Sequence, residues 1–219
     1  MSPPERPPGE SAPNDSDVVL MFADQFAEPQ DGGYQAPCTQ ASVSLSSLVR
    51  EMLATAFISL ASKGAIELTP GKKKRLFSEH KTVFVERKGE PADSPSGLEA
   101  AILGHLKDKA GEDSVRDVVG RTVGSTTIEP YSAILEMSMD NACRAGYFEQ
   151  VERTGTAAFL GKKTLPKLFQ PRCDRIAGLA SRAPEVTAMR EKFKGEHPEL
   201  YEVLYEDVEK SVRSAYFRT

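Results

Sequence analysis

Residues that could do chemistry are few in this 219-residue chain, and they do not cluster by type. The three histidines, His80, His105 and His197, stand at no metal-ligand spacing from one another or from a cysteine. His105 falls on the apolar face of a predicted helix, where an imidazole serves packing more often than proton transfer. No GxSxG, Walker, dinucleotide-binding or HExxH pattern occurs. Gly161-Lys162-Lys163-Thr164 ends like a phosphate loop, but Thr156 stands where the first glycine belongs. Paired carboxylates for acid–base work must share one wall of a pocket. Glu129 with Glu136, and Glu202 with Glu206, fall instead on helix faces opposite the apolar stripe. The reading is a non-enzymatic protein with no catalytic residue, no metal ligand and no cofactor.

What the sequence does concentrate is positive charge. Between Gly71 and Lys88 lie seven bases (Lys72, Lys73, Lys74, Arg75, Lys81, Arg87, Lys88) against Glu79 and Glu86, a local charge of +5. Such a cluster attracts phosphates, whether of nucleic acid or of anionic lipid headgroups. Lys72, Lys73, Lys74, Arg75 and Lys81 are the expected anion-binding residues. Leu76 and Phe77 follow the basic run directly. An apolar pair in that position either enters a lipid interface or anchors the loop to the core.

The elements that must carry this cluster follow from periodicity. After a cap at Ser44 or Ser46, apolar residues from Leu45 to Ala61 form an unbroken helical stripe that stops at Gly64. Ala65–Leu68 reads as a strand, Pro70-Gly71 as a turn, and Thr82–Glu86 as the returning strand, which leaves the bases on a loop between them. Residues 90–96 read as a linker. A helix over 97–106, a short one near Val115–Val119 and a third from Tyr131 to Cys143 follow, the last stopped by Gly146. A second hairpin, 147–151 with 156–160, comes next. The stretch from Leu165 onward reads as helices packed on the core. Leu60–Glu67 and Ala142–Glu149 both run helix, glycine, strand with a glutamate.

The expected fold is therefore mainly α with small β-hairpins: two winged-helix-like units packed together, plus C-terminal helices. The expected divisions are a disordered acidic leader over 1–40, a first helix-plus-wing unit over 41–90, a second over 97–162, and C-terminal helices over 163–219. The leader carries Arg6 against seven acids, a net −6 within a chain of −4. Its apolar island, Val18–Phe22, either docks on the body or captures a partner. Three cysteines, Cys38, Cys143 and Cys173, with no CxxC spacing, argue against a disulfide framework and for a reducing compartment. The near-apolar stretch Met52–Ala61 is too short to span a bilayer. A cytoplasmic protein is expected, with any membrane contact peripheral.

DNA binding is the second reading, since winged helices often serve it. The outward face of the 128–145 helix offers Glu129, Ser132, Glu136, Asp140 and Arg144, which would repel a phosphate-lined groove. The first unit's helix offers Ser47, Arg50, Glu51, Thr55 and Ser62, nearly neutral.

From Leu45 to Ala180 the order of elements resembles the Golgi phosphoprotein 3-like family. The marks are Leu60-Ala61-Ser62-Lys63-Gly64-Ala65-Ile66-Glu67-Leu68, Ser94-Pro95-Ser96-Gly97-Leu98-Glu99, Ala145-Gly146-Tyr147-Phe148, and Ala158–Pro166. Cytosolic tandem winged-helix domains of bacterial membrane proteins are similar. The resemblance implies a helical core and, from eukaryotic members, binding of phosphatidylinositol 4-phosphate and of Golgi enzyme tails. Where that family places a headgroup-binding arginine, this chain has Leu53, with Arg50 nearly one turn away, so Lys72–Arg75 would have to take that part. The expected function is an adaptor that meets a phosphoinositide-like headgroup, or an acidic protein surface, through the basic hairpin. Nucleic acid ranks second as a partner, and a homo-oligomer is compatible with the pattern.

Overall fold

The computed structural model describes residues 13–75, 78–89, 95–107, 113–124, 129–151 and 167–216. It is mostly helical with small antiparallel sheets. At its centre is α3, Leu45–Ser62, capped by the Ser44 hydroxyl, which accepts from Ser47 N. Leu48, Val49, Met52, Leu53, Ala56, Phe57, Ile58 and Leu60 are buried along it. Among the helices that lie against it are α1 (Asp15–Met21), α6 (Pro130–Arg144), α8 (Arg182–Glu196) and α9 (Pro198–Tyr216).

Among the described residues α3 alone is long and apolar enough to cross a membrane, and 72% of it is buried within the protein. The expected polar face of this helix is also covered. Ser47, Glu51 and Thr55 are buried, leaving only Arg50 half-exposed and Ser62 exposed. Neighbours on several sides, rather than one, account for this.

The island at Val18–Phe22 docks. Val18, Val19, Leu20 and Met21 are at most 2% exposed, and α1 lies wholly within the protein. Burying four such side chains is worth on the order of 6–12 kcal/mol as an upper bound. That magnitude is comparable to the cost of ordering seven residues, with hydrogen bonds to α3, α6 and α8 adding to it, and the observed elements correct the disordered leader for residues 13–40. The chain continues through α2 (Ala23–Phe26), β1 (Pro29–Gln35) and β2 (Ser42–Val43). The first twelve residues lie outside the described set.

The two hairpins follow α3 and α6. The first is β3 (Ile66–Arg75) with β4 (Ser78–Arg87), joined at β4 by the short β5 (Asp113–Ser114). The second pairs β6 (Phe148–Val151) with β7 (Leu168–Pro171), a strand where helix was expected; the expected returning strand 156–160 lies outside the described residues. Between the hairpins run α4 (Gly97–Gly104) and α5 (Val115–Gly124), and after them α7 (Cys173–Ala177).

Both helix–hairpin junctions close with the same hydrogen bonds. Gly64 N donates to Ala61 O and Ala65 N to Leu60 O; Gly146 N donates to Cys143 O and Tyr147 N to Ala142 O. Lys88 N then reaches Ala65 O, as Arg172 N reaches Tyr147 O, each at 2.9 Å. The glycines sit at φ +69° and +78°, the left-handed region that ends such helices. The sequence likeness is thus matched bond for bond at the junctions.

Cys38 and Cys173 form a disulfide, their Cα atoms 5.5 Å apart. It ties the turn between β1 and β2 to the start of α7, beside a small core of Met21, Ala142, Phe148, Ile176 and Leu179. This corrects the reduced-thiol reading. Short-range spacing tests for metal and redox motifs, but it cannot see partners 135 residues apart. The argument for a reducing compartment loses its support.

Candidate anion-binding hairpin

The hairpin's bases do not sit on a loop. Pro70 and Gly71 lie within β3, and the ladder runs unbroken from Ile66 opposite Arg87 to Arg75 opposite Ser78. Proline is tolerated because β3 is the edge strand, whose outward N–H needs no partner. Gly71 is required by close approach, since a Cβ there would stand 2.6 Å from the Phe84 ring. Leu76 and Phe77, expected either to enter a lipid interface or to anchor the loop, lie outside the described residues.

Strand alternation divides the cluster. Lys72 pairs across the ladder with Lys81 and Lys74 with Glu79, which puts these four on one face; Lys73, opposite His80, takes the other. Lys72 and Lys74 are 67% and 86% exposed, and both approach the single Glu79 carboxylate at 3.9 Å. Contacts that long and exposed are weak. Lys81 donates to Glu199 at 2.7 Å, which raises its own pKa and lowers that of Glu199. Lys73 meets Asp117 at 2.5 Å. Burial pushes Asp117 up, but the bonds from Lys73 and Ser114 outweigh it and hold the carboxyl below its ordinary range. The acids near these lysines come from β4, α5 and the start of α9, and not from the N-terminal segment.

A buried acid fixes the base of the ribbon. Asp207 of α9, fully buried, accepts from Thr82 Oγ1 at 2.6 Å, Val83 N at 2.9 Å and Arg116 Nε at 2.5 Å. One carboxylate thus ties strand, α5 and α9 together, and Lys73–Asp117 and Lys81–Glu199 repeat the tie farther out. Four acids matter in this way that sequence reading passed over: Asp15, Asp17, Glu51 and Glu99. Asp15 binds Ser59 at 2.6 Å, Arg182 at 2.8 Å and Lys63 at 3.5 Å. Glu51 holds Arg190 and accepts from Tyr205 Oη at 2.9 Å, which joins α3 to α8 and α9.

The other candidates separate. His80 is half-buried on β4, His105 ends α4 and offers its carbonyl to Arg121, and His197 ends α8 beside Phe193. Glu129 caps α6 through the amides of Tyr131 and Ser132. Glu206 pairs with Lys210. Among the described residues no group of three or more His, Cys, Asp or Glu is placed to hold a metal ion. A groove of about 820 Å³ runs between β3 and the α8–α9 corner over Leu68, Pro70, Phe193 and Leu200. Its charged and titratable lining among the described residues is Glu67, Lys192, Glu196, His197 and Glu199.

The chain matches no family model, no curated protein and no solved structure.

Proposed function

We propose that this protein is a non-enzymatic adaptor that docks on an anionic membrane surface through the β3–β4 hairpin. The observation that carries the reading is the exposed face of Lys72, Lys74 and Lys81 on a ribbon whose base is locked by Asp207. A rigid ribbon presents its charges without first ordering them, so less of their attraction is lost on binding. A phosphoinositide-like headgroup suits this face because a phosphate can displace the long contacts to Glu79. The sequence resemblance to the Golgi phosphoprotein 3-like family suggests the same class of headgroup, with Lys72–Arg75 taking the part of the arginine that Leu53 replaces. An acidic protein surface is the competing occupant.

Each lysine near an anionic leaflet is worth about 1 kcal/mol. Replacing Lys72, Lys74 and Lys81 with alanine should then weaken binding to acidic vesicles by roughly 100-fold. Vesicle sedimentation in low and high salt tests it: wild type should pellet with acidic vesicles and be released by salt. Equal pelleting of the triple variant would sink the proposal, as would failure of the wild type to bind.

The second reading is a winged-helix DNA-binding regulator, and the two matching helix–hairpin junctions favour it. Charge and burial oppose it. α3 is covered, and α6 exposes or half-exposes Glu129, Glu136 and Asp140. A gel-shift titration with random duplex at physiological salt separates the two, since a regulator must retain DNA in a salt-sensitive way.

A further inference from the structure

Helices α1 and α4 meet at their N-termini. Asn14 caps α1 and Ser96, 82 residues on, caps α4. The two caps touch: Asn14 Nδ2 donates to Ser96 O at 2.6 Å and to Ser96 Oγ at 3.1 Å. Asp17 and Glu99 take the same third position in their helices. Both are buried, 0% and 2% exposed. Ser16 joins them, its N and Oγ donating to Glu99 at 3.3 and 2.8 Å. Asp17 Oδ2 accepts from Asn14 N at 3.0 Å and Asn141 Nδ2 at 2.5 Å, with the buried Ser138 hydroxyl of α6 also beside the carboxyl.

The surrounding charges are spent elsewhere. Lys63 at the end of α3 and Arg182 of α8 both serve Asp15. On α6, Arg144 reaches Asp17 only through space, and Asp140 is paired with Lys167. On α5, Arg121 is held by Asp113 and Asp117 by Lys73. α2 contributes only the half-buried Asp24. Among the described residues no cation forms an ion pair with Asp17 or Glu99. Two carboxylates in one dry junction cannot both ionise without large cost.

We propose that the α1–α4 junction is a proton-operated clasp, closed while Asp17 and Glu99 hold protons and loosened when both are charged. Burial raises Asp17 to about 7; burial, then the charge of Asp17, raises Glu99 to about 8. The sign follows from linkage. The folded state keeps protons that the unfolded state releases, so this contribution is full below the ordinary values of 3.8 and 4.5, falls as pH rises, and is gone above about 8. The element released is α1, whose opening uncovers α3 and the small core beside the disulfide. The clasp stands apart from whatever the hairpin binds.

Amide hydrogen exchange between about pH 6 and about pH 9, corrected for intrinsic rates, reads the clasp directly. Protection in α1 and the first turn of α4 should fall by about tenfold or more relative to α9, since one pKa unit corresponds to a tenfold change. The double variant Asp17→Asn, Glu99→Gln should abolish that fall. An equal fall in wild type and variant, or none in wild type, overturns the proposal. Should the double variant not fold, infrared spectroscopy of the wild type decides. A protonated-carboxyl band present in mild acid and lost in mild base supports the clasp, and its absence at both refutes it.

Discussion

Breaking the Cys38–Cys173 bridge tests how the two ends of the fold are held. The bond closes a loop spanning 135 residues of sequence. In the chain-entropy treatment that closure removes about 5 kcal/mol of disorder from the unfolded state, and unrelaxed strain or residual structure would lower the figure. With a urea dependence of about 2 kcal/mol per molar, the midpoint should drop by up to about 2.5 M when the bond is opened. The assay is urea denaturation of oxidised protein, reduced protein, and the Cys38→Ser, Cys173→Ser double variant. Reduction and the double variant should agree, and reductant should not move the variant further. Thiol counting on denatured, unreduced wild type should find one free group, Cys143. Three free thiols, or midpoints that do not move on reduction, would refute the reasoning.

Two further outcomes follow from the buried acids. Asp207→Ala should cost about 3–5 kcal/mol, because it leaves Arg116 uncompensated and strips partners from Thr82 and the Val83 amide. Exchange at the Val83 amide should accelerate more than exchange within α3, and uniform acceleration would argue against a local tie. Asp15 behaves oppositely to the clasp. Burial opposes its ionisation, but Ser59, Lys63 and Arg182 together hold its pKa below 3.8. Its contribution is present above that value and lost as pH falls through the lowered one. Asp15→Asn should destabilise the protein at neutral pH and flatten its acid limb, as thermal melts across pH would show; an unchanged acid limb would contradict this.

Much of the architecture could be read directly from apolar spacing. The stripe from Leu45 to Ala61 marked α3, and the glycines at 64 and 146 marked both junctions, because left-handed closure leaves a strong local signature. The hairpin was misjudged at Pro70-Gly71. That dipeptide signals a turn unless the strand lies at an edge and an aromatic ring covers the glycine, and both conditions depend on Phe84 and on strand order. Cys38 and Cys173 were invisible as a pair for the same reason that Asp17 and Glu99 were: their relation exists only once distant segments meet. The acids on α1 and α3 read as surface charge because hydropathy counts a carboxylate as exposed. Here helices arriving from later in the chain supply the hydrogen bonds that let those acids lie inside.

The coverage of α3 has a consequence for synthesis. Its sequence emerges before α8 and α9, which seal one side of it and begin only at Arg182 and Pro198. Until those helices emerge, the ribosome carries a sticky helix long enough to pass as a membrane anchor. The nascent protein has α1 as its early shield, and whatever loosens α1 in the finished molecule would also leave that helix open to chaperones or bilayers while the rest is being made.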